Sequence, residues 1–349
     1  MVYATGGDPR VYEAGEAWAR HAEAIADGLG EAALDLRAAL QRFRGRVAIR
    51  RRQYAEALVE IDEALALEAR RLGAEHPSLA VLHEERGDVL LFLERYDEAL
   101  AAHDRALVLT EAALGAEHPR TARTILARGK VQERLGRYDD ALRSYERALA
   151  IWERVHGSEH PRLIWAHTCV GRVHMKAGDL ERSERAYARA LAIAEAALGA
   201  DALGVADALV ELGGLLRKRG RRGEARALLE RAQRIFEAQV GERYPLALAL
   251  IELGEDALEG GESTRARALL ERARRVQGEE TNTPDELART LFALAQALWA
   301  DGEQARALEL GERALERYRE AGEAHAVARE AAAAWVAARG ATAHGADTR

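Results

Sequence analysis

Cysteine, methionine and aromatic residues are scarce in this chain of 349 residues. It has one cysteine, Cys169, two methionines and 5% aromatic residues. A single cysteine excludes an intrachain disulfide and is typical of a reducing compartment. With so few large apolar side chains, the core has to be built mainly from alanine and leucine, which favours close helix packing.

Long apolar segments are also missing. No run approaches the roughly 20 apolar residues that a transmembrane helix needs, and the N-terminal region lacks the apolar core of a signal peptide. The formal net charge of −7 argues against bulk affinity for nucleic acid. We therefore expect a cytoplasmic protein that binds neither membranes nor nucleic acids.

Motifs of enzymes and metal sites are absent as well. The sequence has no phosphate-binding loop, no GxSxG, no HExxH and none of the kinase motifs HRD, DFG or VAIK. Its link histidines, His76, His118 and His160, lie one per repeat and are too far apart to share a zinc ion. These absences predict a non-catalytic protein without a metal site or a cofactor.

A period of 42 residues runs through most of the chain. The phrase GAEHP occurs at Gly73 and Gly115, and GSEHP follows at Gly157. A second glycine recurs inside the copies, at positions 45, 87, 129, 171, 213 and 254, and Ala295 takes its place in the seventh. Small residues stand twelve and nineteen positions after it in every copy. A period of this length is typical of a solenoid of repeated supersecondary units.

Apolar residues at helical spacing flank the short breaks within each copy. One second helix carries a wide apolar stripe made of Ala141, Leu142, Tyr145, Ala148, Leu149 and Trp152. No strand pattern accompanies it. The sequence therefore predicts an all-α fold of antiparallel helix hairpins that touch at their small residues.

The recurring glycines and prolines have separate predicted roles. In the link, a glycine such as Gly115 can adopt the left-handed conformation that ends a helix, and the proline suits the first turn of the next helix. Gly129 and its equivalents lie within helices, where glycine costs roughly 1 kcal/mol relative to alanine. We expect close approach of the neighbouring helix to compensate for that cost.

This pattern resembles the tetratricopeptide repeat, in the 42-residue form found in kinesin light chains. The second helix of that form reads Tyr-x-Glu-Ala and then Arg-Ala-Leu, and the matching residues here are Tyr96, Glu98, Ala99, Arg105, Ala106 and Leu107. The resemblance covers about 31–318 and implies a right-handed superhelical solenoid. Residues 286–323 also resemble the C-terminal repeat tails of myxobacterial-type serine/threonine protein kinases.

The register divides the chain into five segments. We expect a disordered lead over 1–9, an N-terminal half repeat or cap helix over 10–30, seven hairpins over 31–320, a C-terminal capping helix over 321–340 and a tail over 341–349. The opening half repeat has two interpretations. It either caps the array or indicates that the chain was cut from a longer protein.

By the same resemblance, residues just after the recurring glycine, and three and six before it, line a concave groove. The candidate peptide-binding residues of the third to fifth repeats are Arg123, Lys130, Arg134, Trp165, Arg172, Met175, Lys176, Arg217 and Lys218, with Leu126, Glu133 and Thr168 among them. Their mostly positive charge beside one aromatic anchor suits an acidic segment of a partner protein. The alternative is that these arginines and lysines form a solvated face.

Two main hypotheses follow. The first is a protein–protein interaction scaffold that binds an acidic segment in the groove. The second is a regulatory or self-associating tail of a bacterial signalling protein such as a serine/threonine kinase, with self-association through the N-terminal surface near Trp18 and Phe43. An enzyme is a third possibility, which the missing motifs oppose. A clamp for chaperone C termini is excluded, because such clamps use asparagines and Asn282, in a link, is the only one.

Overall fold

We describe a computed structural model that defines residues 18–19, 21–26, 28–29, 33–241, 244–278, 284–322 and 325–346. Fifteen helices can be bounded in this part of the chain, which contains no strand. The first seven are α1 (Leu34–Arg50), α2 (Tyr54–Leu72), α3 (Leu79–Phe92), α4 (Tyr96–Leu114), α5 (Pro119–Arg134), α6 (Tyr138–His156) and α7 (Arg162–Lys176). The other eight are α8 (Leu180–Leu198), α9 (Leu203–Lys218), α10 (Arg222–Val240), α11 (Tyr244–Glu259), α12 (Ser263–Gln277), α13 (Pro284–Ala300), α14 (Gln304–Glu320) and α15 (Ala326–Ala346).

The helices form two compact units, 1–177 with α1 to α7 and 178–349 with α8 to α15. Within each unit, every helix packs against the next one in the sequence. The first helices of neighbouring repeats also contact one another, α3 with α5 and α5 with α7 in the first unit, and α9 with α11 and α11 with α13 in the second. The predicted all-α fold of helical hairpins is confirmed.

The recurring small residues lie where the helices meet. In the first unit Ala57, Ala64, Ala99, Ala106, Ala141 and Ala148 are completely buried. In the second unit Ser183 and Ala225, with their counterparts through Ala314, are equally inaccessible. A larger side chain at these positions would separate the helices, because protein interiors leave no spare volume.

A bulky side chain from the second helix fills the space above five of the recurring glycines, at positions 45, 87, 129, 213 and 254. A Cβ added to Gly129 would lie 2.6 Å from the ring of Tyr145, sixteen residues later. His103 occupies the same position over Gly87, and Leu229 occupies it over Gly213. In these repeats, the expected close approach is therefore made by one large side chain.

The links differ from the expectation in one detail. Gly115 ends α4 with φ +90° and ψ 158°, so φ is positive as expected but ψ is extended. This conformation is outside the left-handed helical region and is available essentially to glycine alone. The link proline Pro119 stands in the first turn of α5, where its missing N–H costs nothing.

Two other recurring residues hold the links in place. The Nδ1 atom of His118 accepts a hydrogen bond from the backbone N–H of Arg120 at 3.1 Å, which caps α5. His76 and His160 make the same contact in their own links. An arginine of the following second helix, Arg105, donates to the carbonyl oxygen of Ala74 at 2.8 Å. The arginine of the repeat motif thus binds the backbone of the link that precedes its own hairpin.

At the C-terminal end, α15 packs against the last hairpin. A Cβ on Gly311 would lie 3.0 Å from Trp335, and the indole of Trp335 makes edge-to-face contacts with Phe292 and Trp299. The helix continues to Ala346, into the segment for which we expected a tail. The predicted lead over 1–9 lies outside the described residues, and the described part of the N-terminal half repeat starts with Trp18.

Candidate functional site

One face of the first unit carries polar side chains from α3, α5 and α7, and we call it the first-helix face. It is defined by Glu84 and Asp88 of α3, Lys130 and Glu133 of α5, and Trp165, Arg172 and Lys176 of α7. Ion pairs and one cation–π contact join these side chains across neighbouring repeats. Four of the residues that the register predicted for the groove, Lys130, Trp165, Arg172 and Lys176, therefore lie on this face.

Glu133 is the centre of this surface. Its carboxylate accepts hydrogen bonds from the guanidinium of Arg172 at 2.7 and 2.9 Å and from the ammonium of Lys176 at 2.9 Å. The buried phenol of Tyr145 donates a third contact at 3.1 Å. Burial by itself would raise the pKa of Glu133, but the bonds and charges of Arg172 and Lys176 outweigh it and lower the pKa to about 2. Glu133 is thus a fixed anion.

Lys130 and Trp165 form the second feature of the face. The Nζ atom of Lys130 lies 4.1 Å from the centre of the Trp165 ring system, within the range of a cation–π interaction. Within the described part of the chain, Lys130 makes no ion pair with a carboxylate. Lys130 therefore contacts an aromatic ring, while Arg172 and Lys176 bind the carboxylate of Glu133, so three cations lie in this part of the face.

Towards α3 the charges are balanced. Glu84 is buried and accepts from both Arg123 and Thr124. Asp88 of the same helix has a largely exposed side chain.

The two other candidates of the first unit lie beside these groups. Arg134 stacks on the Tyr96 ring and donates to its hydroxyl at 3.0 Å. Met175 is half-buried in α7.

The second unit holds the two remaining candidate residues in a different environment. Arg217 is 7% exposed and donates to Glu252 at 3.1 Å, with further bonds to Glu255 and Glu259. Arg289 binds Glu252 and Glu255 from the next repeat. Burial lowers the pKa of Arg217, but the glutamates outweigh it and raise that pKa. Three carboxylates surround two arginines here, so this surface is not basic.

Lys218, the neighbour of Arg217, is exposed. The sequence interpretation omitted the residues that engage these cations, namely Glu84, Tyr145 and Glu252. The repeat offered a signal for them, since each carboxylate stands 34 to 43 positions from its arginine or lysine, close to one period. The charges at equivalent positions change sign from repeat to repeat, however. The register alone therefore does not predict which carboxylate binds which arginine or lysine.

The described residues provide neither a metal site nor a membrane-spanning helix. They contain no group of three or more histidine, cysteine, aspartate or glutamate side chains placed to hold a metal ion. No helix among them is both long and apolar enough to cross a bilayer.

Known structures provide three comparisons. A kinesin light chain with nearly identical repeats from Podospora anserina is 22% identical over 57% of this chain and 93% of its own, with a TM-score of 0.51. BtubC (BKLC) from P. vanneervenii is 21% identical over 72% of this chain and 94% of its own, with a TM-score of 0.52. The apo quorum sensor NprR from B. thuringiensis is 14% identical over 88% of this chain and 84% of its own, with a TM-score of 0.63. At these identities the likeness concerns the fold alone.

No curated protein matches the sequence. The family model of the tetratricopeptide repeat matches residues 78–153, 125–168, 163–238 and 245–320, which together make up more than half of the chain. This agrees with the 42-residue register and with the similarity to the kinesin light chain. The chain belongs to the tetratricopeptide repeat family.

Proposed function

We propose that this protein is a non-catalytic interaction scaffold that binds an acidic segment of a partner protein on the first-helix face of its first unit. The observation that carries the proposal is the set of three cations on this face, with Arg172 and Lys176 bound to Glu133 and Lys130 over the indole of Trp165. Charge-assisted hydrogen bonds from arginine and lysine to carboxylates are stronger than neutral ones. Half-buried tryptophan is a frequent anchor of interfaces.

The contacts within the face define how a segment would bind. Arg172 is held by Glu133 through two hydrogen bonds, so its position is set before a ligand arrives and little side-chain entropy is lost on binding. Lys130 lies over the ring of Trp165 and makes no ion pair with a described carboxylate. A carboxylate of the partner would bind Lys130 while its apolar neighbours cover the indole.

The second unit takes no part in this proposal. A partner carboxylate at Arg217 would have to displace three glutamates of the chain itself. Because such a displacement breaks buried ion pairs, we restrict the proposed site to Lys130, Trp165, Arg172 and Lys176, with Arg123, Arg134 and Met175 beside them.

The experiment is a peptide selection on the full chain followed by affinity measurements. Peptides enriched from a random displayed library would be tested by fluorescence anisotropy against the wild type, a Lys130→Gln, Trp165→Ala variant, and an Arg143→Gln control. Among the described residues, neither Lys130 nor Trp165 forms an ion pair or hydrogen bond with a carboxylate that these substitutions would break. Arg143 lies on the second helix α6 with its side chain 70% exposed.

We expect the selection to enrich peptides rich in aspartate and glutamate. The Lys130→Gln, Trp165→Ala variant should bind these peptides about tenfold more weakly, because it has lost one cation and one aromatic anchor. The control should stay within about twofold, and rising salt should weaken binding. Enriched peptides without acidic residues, or equal affinity of the double variant, would contradict the proposal.

A second candidate function is self-association through the N-terminal helical residues. Trp18, Ile25 and Leu29 stand on one side at helical spacing and are each more than half exposed. An exposed apolar stripe of this kind is typical of an interaction surface. The role as a regulatory tail of a signalling kinase stays a prediction.

Sedimentation at increasing protein concentration tests this candidate. The change is Trp18→Ser with Ile25→Ser, and the control is Val59→Ser with Val108→Ser, which removes apolar side chains of similar exposure elsewhere. Self-association requires oligomers in the wild type and the control but not in the first variant. A wild type that stays monomeric would exclude it.

A further inference from the structure

Four arginines meet around a small cavity in the second unit. The cavity has a volume of about 200 Å³ and is lined by Arg274 and Arg275 of α12, Leu287 and Leu291 of α13, and Arg313 and Arg317 of α14. We propose that this arginine pocket binds a phosphate-type dianion.

The described residues neutralise the charge of the pocket only in part. Arg317 binds Glu320 at 2.8 Å on its own helix. Arg274, half-buried, and Arg275, exposed, form no ion pair with any described residue. Two guanidinium groups are therefore available, and a planar guanidinium matches the geometry of phosphate oxygens.

Arg313 already takes part in an interaction of its own. It lies at the register position of Arg105 and Arg147, which donate to the carbonyl oxygens of their preceding links. We therefore assume that Arg313 contributes positive electrostatic potential to the pocket but does not bind the anion directly. The binding contacts come from Arg274 and Arg275.

The floor of the pocket is apolar, which strengthens the attraction between the arginines and a bound anion. Leu287 and Leu291 are almost completely buried, so a bound anion would lie against a low-dielectric surface, where charges interact more strongly than in water. Leu287 stands in the first turn of α13, whose N-terminus favours negative charge. The acidic groups of that turn are engaged elsewhere, Asp285 near His325 at 3.6 Å and Glu286 with the hydroxyl of Tyr244.

Arginines in the last turn of a helix also have a simpler explanation, because they complement its macrodipole. Arg274 and Arg275 occupy such a position in α12, as Arg70 and Arg71 do in α2. The macrodipole does not account for the convergence of α12 and α14 on one cavity. The pair in α2 therefore provides a matched control with the same loss of two charges at a helix end.

The test is isothermal titration of the full chain with inorganic phosphate and, separately, with O-phosphoserine, at constant ionic strength. The variants are Arg274→Ala with Arg275→Ala, and Arg70→Ala with Arg71→Ala. Helicity and thermal midpoint would be measured for each, so that loss of binding is scored only in folded protein. The full chain includes the link over 279–283, so competition from its carboxylates is part of the measurement.

We expect saturable binding by the wild type, about tenfold weaker binding by the pocket variant and no more than about a twofold change in the control. Equal affinity for both probes would identify the phosphate group itself as the ligand, and tighter binding of O-phosphoserine would identify a phosphorylated side chain. The proposal is overturned if the wild type shows no saturable binding, or if the pocket variant binds as the wild type does.

Discussion

The ring of Tyr145 fills the space left by Gly129, and its hydroxyl donates to Glu133 at 3.1 Å. One side chain thus joins the core of a repeat to the carboxylate that holds Arg172 and Lys176 on the first-helix face. The position of the proposed binding cations depends in this way on a glycine sixteen residues before the tyrosine.

We predict that Gly129→Ala destabilises the protein. The new Cβ would lie 2.6 Å from the Tyr145 ring, so the ring has to move and its bond to Glu133 is strained. We expect a loss of about 2 kcal/mol in the free energy of unfolding, as for other overpacked cores. Urea denaturation of the full chain measures it.

Gly223→Ala is the control for this change. Gly223 lies in α10 with nothing within 4 Å of an added Cβ, and alanine is the better helix former by roughly 1 kcal/mol in a helix interior. We expect no loss of stability there. Equal stability of Gly129→Ala and the wild type would refute the role of the tyrosine contact.

His103 is expected to make the protein acid-sensitive. Its ring is completely buried over Gly87, and burial lowers its pKa to about 4. Glu84 and Asp104 favour its charged form and Lys130 opposes it, while Asp88 lies 3.7 Å from Nε2. Because the unfolded chain then binds a proton that the folded chain does not, stability falls as the pH drops from about 6.5 towards 4.

The matched variant is His103→Leu, since leucine fills this position in the Gly213 and Gly254 repeats. Between pH 7 and pH 5 the wild type should lose about 2 kcal/mol more than the variant, as the pKa shift implies. Chemical denaturation at both values measures the difference. Parallel losses in the two proteins would show that another group is responsible.

Arg217→Ala should be strongly destabilising. The buried guanidinium binds Glu252, Glu255 and Glu259. Among the described residues, its removal leaves Glu252 and Glu255 with Arg289 and leaves Glu259 without an ion pair. We expect a loss of about 3 kcal/mol, the usual cost of breaking a buried ion pair from one side.

Arg143→Ala, at an exposed pair, should change stability by less than about 0.5 kcal/mol. Similar small effects at both positions would contradict the network.

The link glycine Gly115 should not tolerate a β-branched residue. With φ +90° and ψ 158°, Gly115→Val is strained by about 2 kcal/mol, although nothing lies within 4 Å of its Cβ position. Ala116→Val in the same link is the control, because Ala116 is exposed and does not have a positive φ. Thermal unfolding compares the two, and equal midpoints would refute the backbone argument.

Much of the first-helix face could be predicted from the register. The 42-residue period placed Lys130, Arg172 and Lys176 at equivalent or neighbouring positions of successive first helices, and the structure brings them together around Glu133 and Trp165. Their pairing could not be predicted, because equivalent positions carry opposite signs in different repeats. Arg217 shows the consequence, since its carboxylates belong to the following repeat.

The amino-acid sequence by itself determined the helical hairpins, because a constant period puts small residues at every helix contact, and those positions are fully buried. Tertiary structure alone decided which charges remain available for a partner. Whether an arginine faces solvent or a glutamate depends on side chains about one repeat away, and only the stacking of neighbouring hairpins sets those distances.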